Sequence, residues 1–171
     1  MKTIVVSNTG PLIHLAKLEK LGILRELYGV IFITKGVFEE AVIRGKERGY
    51  KDALLIEKAV NGEWIVVIPH KPNYNINIRG IAYGLNRGEI EAISLALLAG
   101  GLLLIDEKKG RMFARELGIK VLGTIGIIIQ ATKRNIIPKD EGVKALERLL
   151  EIMYVSHNLI EYAKRRILEC K

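Results

Sequence analysis

The sequence predicts an α/β protein: a three-layer α/β/α domain on a central, mainly parallel sheet, with further helices at the C-terminal end. Three observations predict it. Short β-branched runs alternate with segments of helical spacing, the runs are apolar along their whole length, and after Pro138 the pattern becomes helical only. A strand that is apolar on both sides belongs to a sheet covered on both faces, as parallel sheets are.

The elements follow in order. Thr3 to Ser7 reads as a strand that stops at Asn8, and a helix runs from Pro11, where Leu12, Leu15 and Ala16 share one face. Val30 to Ile33 is a second strand, followed by a helix that carries Val37-Phe38-Glu39-Glu40-Ala41-Val42. Ile65 to Ile68 is the third strand. Residues 69 to 86 lack clear periodicity and read as a long loop, either an ordinary connection over the sheet or one whose tyrosines and basic side chains stack on bases and touch phosphates. A helix starts at Arg87, where Asn86 and Glu89 have capping-box spacing. Leu102 to Ile105 and Lys120 to Leu122 are strands, followed by helices from Lys109 and Thr124. Beyond Pro138, Val143, Leu146, Leu149 and Leu150 mark one helical face, and the chain ends in a basic helix, AKRRILECK. No repeat or low-complexity tract divides the chain, so residues 1–150 read as the main domain and 151–171 as a basic helical extension of it.

Composition narrows the function. A length of 171 residues suffices for one core without disulfides. The one cysteine, Cys170, has no internal partner, which points to a reducing, cytoplasmic setting. Residues 1 to 10 lack the features of a signal peptide, and apolar runs such as Ile93 to Leu98 are far shorter than the roughly 20 residues that span a bilayer. The expectation is no membrane. A net charge of +8 points to a polyanionic partner, nucleic acid first. His14, His70 and His157 are scattered and no nucleophile sits in an elbow, which argues against triad chemistry. There is no GxxxxGK(S/T) phosphate loop, GLNRGEIEA lacks a preceding strand, and Cys/His pairs for zinc are missing.

The candidate site residues come from where polar side chains follow strands, because ligands of open parallel sheets bind at the strands' C-terminal ends. Asn8 closes the first strand, where it serves either a ligand or the next helix as a cap, with Pro11 close behind. Asp106 and Glu107 close LLLI, again as ligands or as caps. Glu39 and Glu40 flank the apolar stripe of their helix symmetrically, and periodicity does not choose between them. Glu89 has the capping role; Glu91 lies on the row of Leu95 and Leu98 in a helix apolar nearly all round, where a carboxylate needs a cation, either a metal or an arginine such as Arg111.

The ordered set VSNTGPLIHLAKL, VFEEAV, LNRGEIEAISLA and LLIDEKKGRMFARELGIKVLGTIGIII resembles the PIN-domain proteins, nearest the prokaryotic branch of toxin-like VapC ribonucleases. The resemblance covers roughly residues 3–150. It implies a nuclease that uses Mg²⁺ or Mn²⁺, with the family's acid positions falling on Asn8, Glu40, Glu91 and Asp106, Glu107 as a weaker ligand, and a hydroxyl from Thr9 or Thr124. It further implies an RNA substrate, an antitoxin protein partner and a homodimer. Hard divalent cations favour such carboxylate oxygens and orient water for in-line attack on a phosphodiester. Asn8 departs from the pattern: its carbonyl can coordinate, but the site then carries three carboxylates instead of four. The alternative reading is a PIN-like scaffold that binds RNA or a protein partner without cutting.

Overall fold

The computed structural model describes residues 3–169; Cys170 lies outside the described residues. In chain order the elements are β1 (Val5–Ser7), α1 (Thr9–Lys17), α2 (Ile23–Tyr28), β2 (Ile31–Thr34), and α3 (Lys35–Phe38), which runs through a π-helical stretch (Glu39–Arg44) into α4 (Gly45–Glu47). Then come α5 (Lys51–Asn61), β3 (Ile65–Ile68), α6 (Tyr74–Ala82), α7 (Arg87–Ala99), β4 (Leu102–Leu104), α8 (Lys108–Glu116), β5 (Lys120–Leu122), α9 (Thr124–Lys133), α10 (Lys139–Ile152) and α11 (His157–Leu168). The strands form one parallel sheet in the order β3-β2-β1-β4-β5, flanked by helices. The α/β/α class and the parallel sheet are therefore as the sequence predicts.

Chain direction across the sheet reverses at β1: β2 and β3 lie on one side of it, β4 and β5 on the other. Right-handed crossovers then put the helices before β3 on one face and α6 to α8 on the other. The crevice between the C-terminal ends of β1 and β4 is the switch point where such folds bind ligands. Asn8 and Asp106 stand on its two sides, and the Asn8 N–H donates to the Leu104 carbonyl at 2.8 Å, closing the β1–β4 ladder there.

The central strands are buried on both sides. Val5, Val6, Ile31, Ile33, Leu103 and Leu104 are almost fully covered, and Leu12 and Leu15 of α1 pack into the same core. Each such side chain contributes roughly 1.5–3 kcal/mol of transfer free energy. The edge strands β3 and β5 are more open, as sheet margins are. Among the described residues no helix is long and apolar enough to cross a membrane.

Three local expectations are corrected. Residues 69 to 86 are not a loop throughout, because α6 occupies Tyr74–Ala82. The Asn73 side chain starts it by accepting from the Ile76 N–H at 2.9 Å, and only Ile76 and Gly80 are buried, so the inward face is too narrow to give a helical period. Gly80 is needed there: a Cβ would meet Ile90 Cγ1 at 2.6 Å. Two helices, α2 and α5, lie between strands where the sequence reading assigned no element. Finally, the row of Glu91, Leu95 and Leu98 is buried at its start only, and Leu98 is 77 % exposed.

Candidate active site

Asn8 occupies the N-cap position of α1, with extended backbone, but its side chain makes no capping hydrogen bond. The local sequence explains part of this. An N-cap side chain accepts from the second or third helical N–H; the third residue of α1 is Pro11, which has none, and the Gly10 N–H at the second position is not used by the Asn8 side chain. Asn8 Oδ1 is buried without a hydrogen-bond partner, so the reading of Asn8 as a plain helix cap does not hold. The residue that follows is better served: Thr9 Oγ1 donates to Glu40 Oε2 at 2.9 Å.

Glu40 sits at the start of the π-helical stretch that continues α3. This irregular turn separates the two acids that periodicity could not rank. Glu40 lines the cleft beside Asn8 and Thr9, whereas Glu39 Oε2 lies 3.9 Å from Arg87 Nη1. Single π turns inside helices are frequent at functional sites.

Asp106 is held by three donors. His14 Nδ1 is 2.7 Å from Oδ2, the Thr124 hydroxyl donates to the same oxygen at 2.6 Å, and the Thr124 N–H donates to Oδ1 at 2.7 Å. Burial pushes the carboxyl up, but the bonds from His14 and Thr124 outweigh it and hold Asp106 below the usual carboxylate value. Asp106 does not cap α8; Glu107 does, accepting from the Gly110 N–H at 2.6 Å. Two glycines make room for the carboxylate. A Cβ on Gly123 would stand 2.8 Å from Asp106 Oδ1, and one on Gly10 3.4 Å from Oδ2.

Glu91 lies apart from this group. Its Oε2 accepts from the Gly36 N–H at 2.9 Å, and its Oε1 from Arg87 Nε at 2.6 Å. Arg87, not Arg111, is thus its cation. Gly36 and Gly88 pack backbone to backbone between Glu91 and Glu40: a Cβ on Gly36 would meet Gly88 Cα at 3.3 Å, and one on Gly88 would meet Glu40 Oε2 at 3.3 Å. Besides Glu107, the acid that shares the cleft with Glu40 and Asp106 is Glu89. It forms the predicted capping box, and burial first, then the charges of Glu107 and Glu40, push its carboxyl up against the pull of the Asn86 N–H.

The cleft has a volume of about 1130 Å³ and joins Asn8, Thr9, Glu40, Glu89, Asp106 and His14 on its floor to Lys108, Arg111 and Arg115 of α8 and the 152–156 segment at its rim. Of the four sequence-derived site residues it gathers Asn8, Glu40 and Asp106, and Glu91 is not among its lining side chains. Sequence reasoning missed His14 and Arg87. Both had a signal at helical spacing, since His14 is four residues past Gly10 and Arg87 four before Glu91.

The cleft thus sets acids at the switch point of a parallel α/β sheet against a basic wall. The chain belongs to the PIN-domain family: residues 4–169 match the family DUF3368, described as a PIN domain. PIN domains are generally nucleases, and those nucleases typically use divalent metals. Among solved structures the chain is similar to PAE2754 from Pyrobaculum aerophilum, at 13% sequence identity and a TM-score of 0.50 over 72% of this chain and 92% of that one. At that identity the likeness concerns the fold. No curated protein matches the chain.

Proposed function

We propose that the protein is a ribonuclease that hydrolyses RNA phosphodiester bonds with Mg²⁺ or Mn²⁺, a cytoplasmic member of the toxin-like VapC branch held in check by an antitoxin protein. The observation that carries this reading is the convergence of Asn8, Glu40 and Asp106 in one cleft at the β1/β4 switch point.

The donor chemistry fits a hard cation in part. Asn8 Oδ1 is a buried acceptor with no partner, a state that costs about 1–3 kcal/mol unless something binds it. Glu40 uses one oxygen on Thr9 and Asp106 is kept ionised by its donors. Among the described residues no three His, Cys, Asp or Glu side chains stand close enough to hold an ion by themselves, so an ion here would be held by few protein oxygens and complete its shell with water. Such an ion would neutralise phosphate charge and activate water for in-line attack. The chain's own part is to orient: Thr9 fixes Glu40, and His14 and Thr124 fix Asp106. Glu91 would join only by exchanging Arg87, whose side chain is 69% exposed.

In the test, purified protein is incubated with structured RNA and Mn²⁺. Wild type cleaves, and Asp106→Asn lowers the rate about a hundredfold or more, the scale of losing one preorganised charge-stabilising group. Equal cleavage by wild type and both Asp106→Asn and Glu91→Gln would end the enzyme reading.

Asn8 in place of an acid and the Arg87 clamp on Glu91 favour a second reading, a PIN scaffold that binds RNA or a protein without cutting. Calorimetry with Mn²⁺ separates the two: no heat of binding beside salt-sensitive RNA binding supports the scaffold. Under either reading we take a second copy of the chain as partner. Residues 151–171 we read as an extension of the domain, since Ile160, Ala163 and Ile167 of α11 are buried in the common core.

A further inference from the structure

We infer that Tyr154 is a stacking platform for an unpaired base of single-stranded RNA, at the rim of the cleft whose floor carries Asp106 and Glu40. The inference rests on the ribonuclease reading of that cleft. Tyr154 lies in the extended link between α10 and α11, where side chains point alternately inward and outward. Its neighbours Met153 and Val155 are half-buried against the core, so the backbone is pinned on both sides and the tyrosine ring is held out, with a relative exposure of 107%. The ring lines the cleft, and a tyrosine offers there a large, rigid apolar face with a polar tip.

Three features of the same cleft choose the ligand. Its volume, about 1130 Å³, exceeds the roughly 300–1,000 Å³ of ordinary small-molecule pockets, which suits a polymer segment. The wall formed by α8 carries Lys108, Arg111 and Arg115 at spacings of three and four, a single helical face about 10 Å long at 1.5 Å per residue. Among the described residues none of these three takes part in a salt bridge, so their charge is available to phosphates. A strand whose backbone follows α8 across the acids has its bases turned away from that wall, and Tyr154 supplies a face at the rim. Stacking of this kind requires a base free of its complement, so duplex RNA does not use it.

The experiment uses the whole chain in EDTA, where cleavage is suppressed, and a ten-nucleotide single-stranded RNA, labelled at one end for anisotropy or carrying 2-aminopurine in its middle for stacking. Tyr154→Ala is expected to weaken binding about tenfold, within the range alanine substitution gives for one stacked base, and to abolish quenching of 2-aminopurine. Tyr154→Trp keeps both, and binding of the same sequence as a duplex is indifferent to either change. Tyr154 is fully exposed, so its replacement removes no core packing, and circular dichroism of the variants checks the fold. If Tyr154→Ala binds and quenches like wild type while Arg115→Ala weakens binding, the cleft takes RNA and the platform is refuted. If wild type neither binds this RNA nor cleaves RNA with Mn²⁺, the ribonuclease reading itself has failed.

Discussion

Asp106 and Glu91 are both largely covered carboxylates on the side where the strands end, Asp106 after β4 and Glu91 against α3, which follows β2, but the groups around them differ in kind. Asp106 faces an open cleft and is bonded by a histidine and by both donors of Thr124. Glu91 faces a closed contact between two helices, where it accepts from the Gly36 N–H of α3 and from Arg87. Gly36 is the second residue of α3, so Glu91 satisfies a helix N-terminus that its own chain leaves open. Burial alone marks both acids as needing a partner. The nature of the partner separates an acid poised at a site from one that ties two helices together.

The sharpest way to break this contrast is to remove Glu91. Glu91→Ala leaves the Gly36 N–H unbonded beside an empty space, and a loss of about 2–3 kcal/mol is expected from the stranded donor and the lost packing. Thermal unfolding should then fall by about 5 °C or more for a chain of this size. An unchanged melting temperature would mean that Glu91 carries no structural role and is free for a metal.

A smaller effect is expected at Asp106, and it depends on pH. Its carboxyl titrates below the unfolded value, so the folded state gains stability above the ordinary carboxylate range and loses it as pH falls through the lowered folded value. His14→Ala removes one of the donors responsible. The variant should be less stable than wild type by about 1–2 kcal/mol at pH 7, and the gap should close in acid once Asp106 is protonated in both proteins. Urea unfolding across pH measures it, and a gap independent of pH would show that His14 acts through packing.

The contrast also shows how far the sequence is legible. The strands, the capping box of Asn86 and Glu89, and the positions of Asn8 and Asp106 beside the switch point follow from local patterns, because strand ends and caps are set by neighbours in sequence. The long segment before α7 hid α6, since only Ile76 and Gly80 of that helix face inward. The partner of Glu91 was missed although Arg87 stands one helical turn before it, because a buried acid can be met from anywhere and Arg111 looked equally near. The separation of Glu91 from Glu40 could not be read at all. It depends on Gly36 meeting Gly88 across two helices, a contact that local periodicity does not encode.

The smallest expected effect tests the residue at the end of β1. Asn8, Asn73 and Asn86 all precede helices, and a cap of this type is worth about 1 kcal/mol against alanine. Asn73 and Asn86 accept such a bond from the third residue of their helices, whereas Asn8 accepts none, and Pro11 stands at that third position without an N–H. Asn86→Ala should therefore cost about 1 kcal/mol, and Asn8→Ala should stay within about 0.5 kcal/mol of wild type or gain stability, since it removes an unpartnered buried oxygen. If Asn8→Ala instead destabilises as much as Asn86→Ala, its side chain has a structural partner in solution and the free acceptor disappears as a reason to place an ion there. If it does not, the amide is kept for what enters the cleft. Asn8→Asp should then tighten Mn²⁺ binding by calorimetry, because the added charge has a cation to meet.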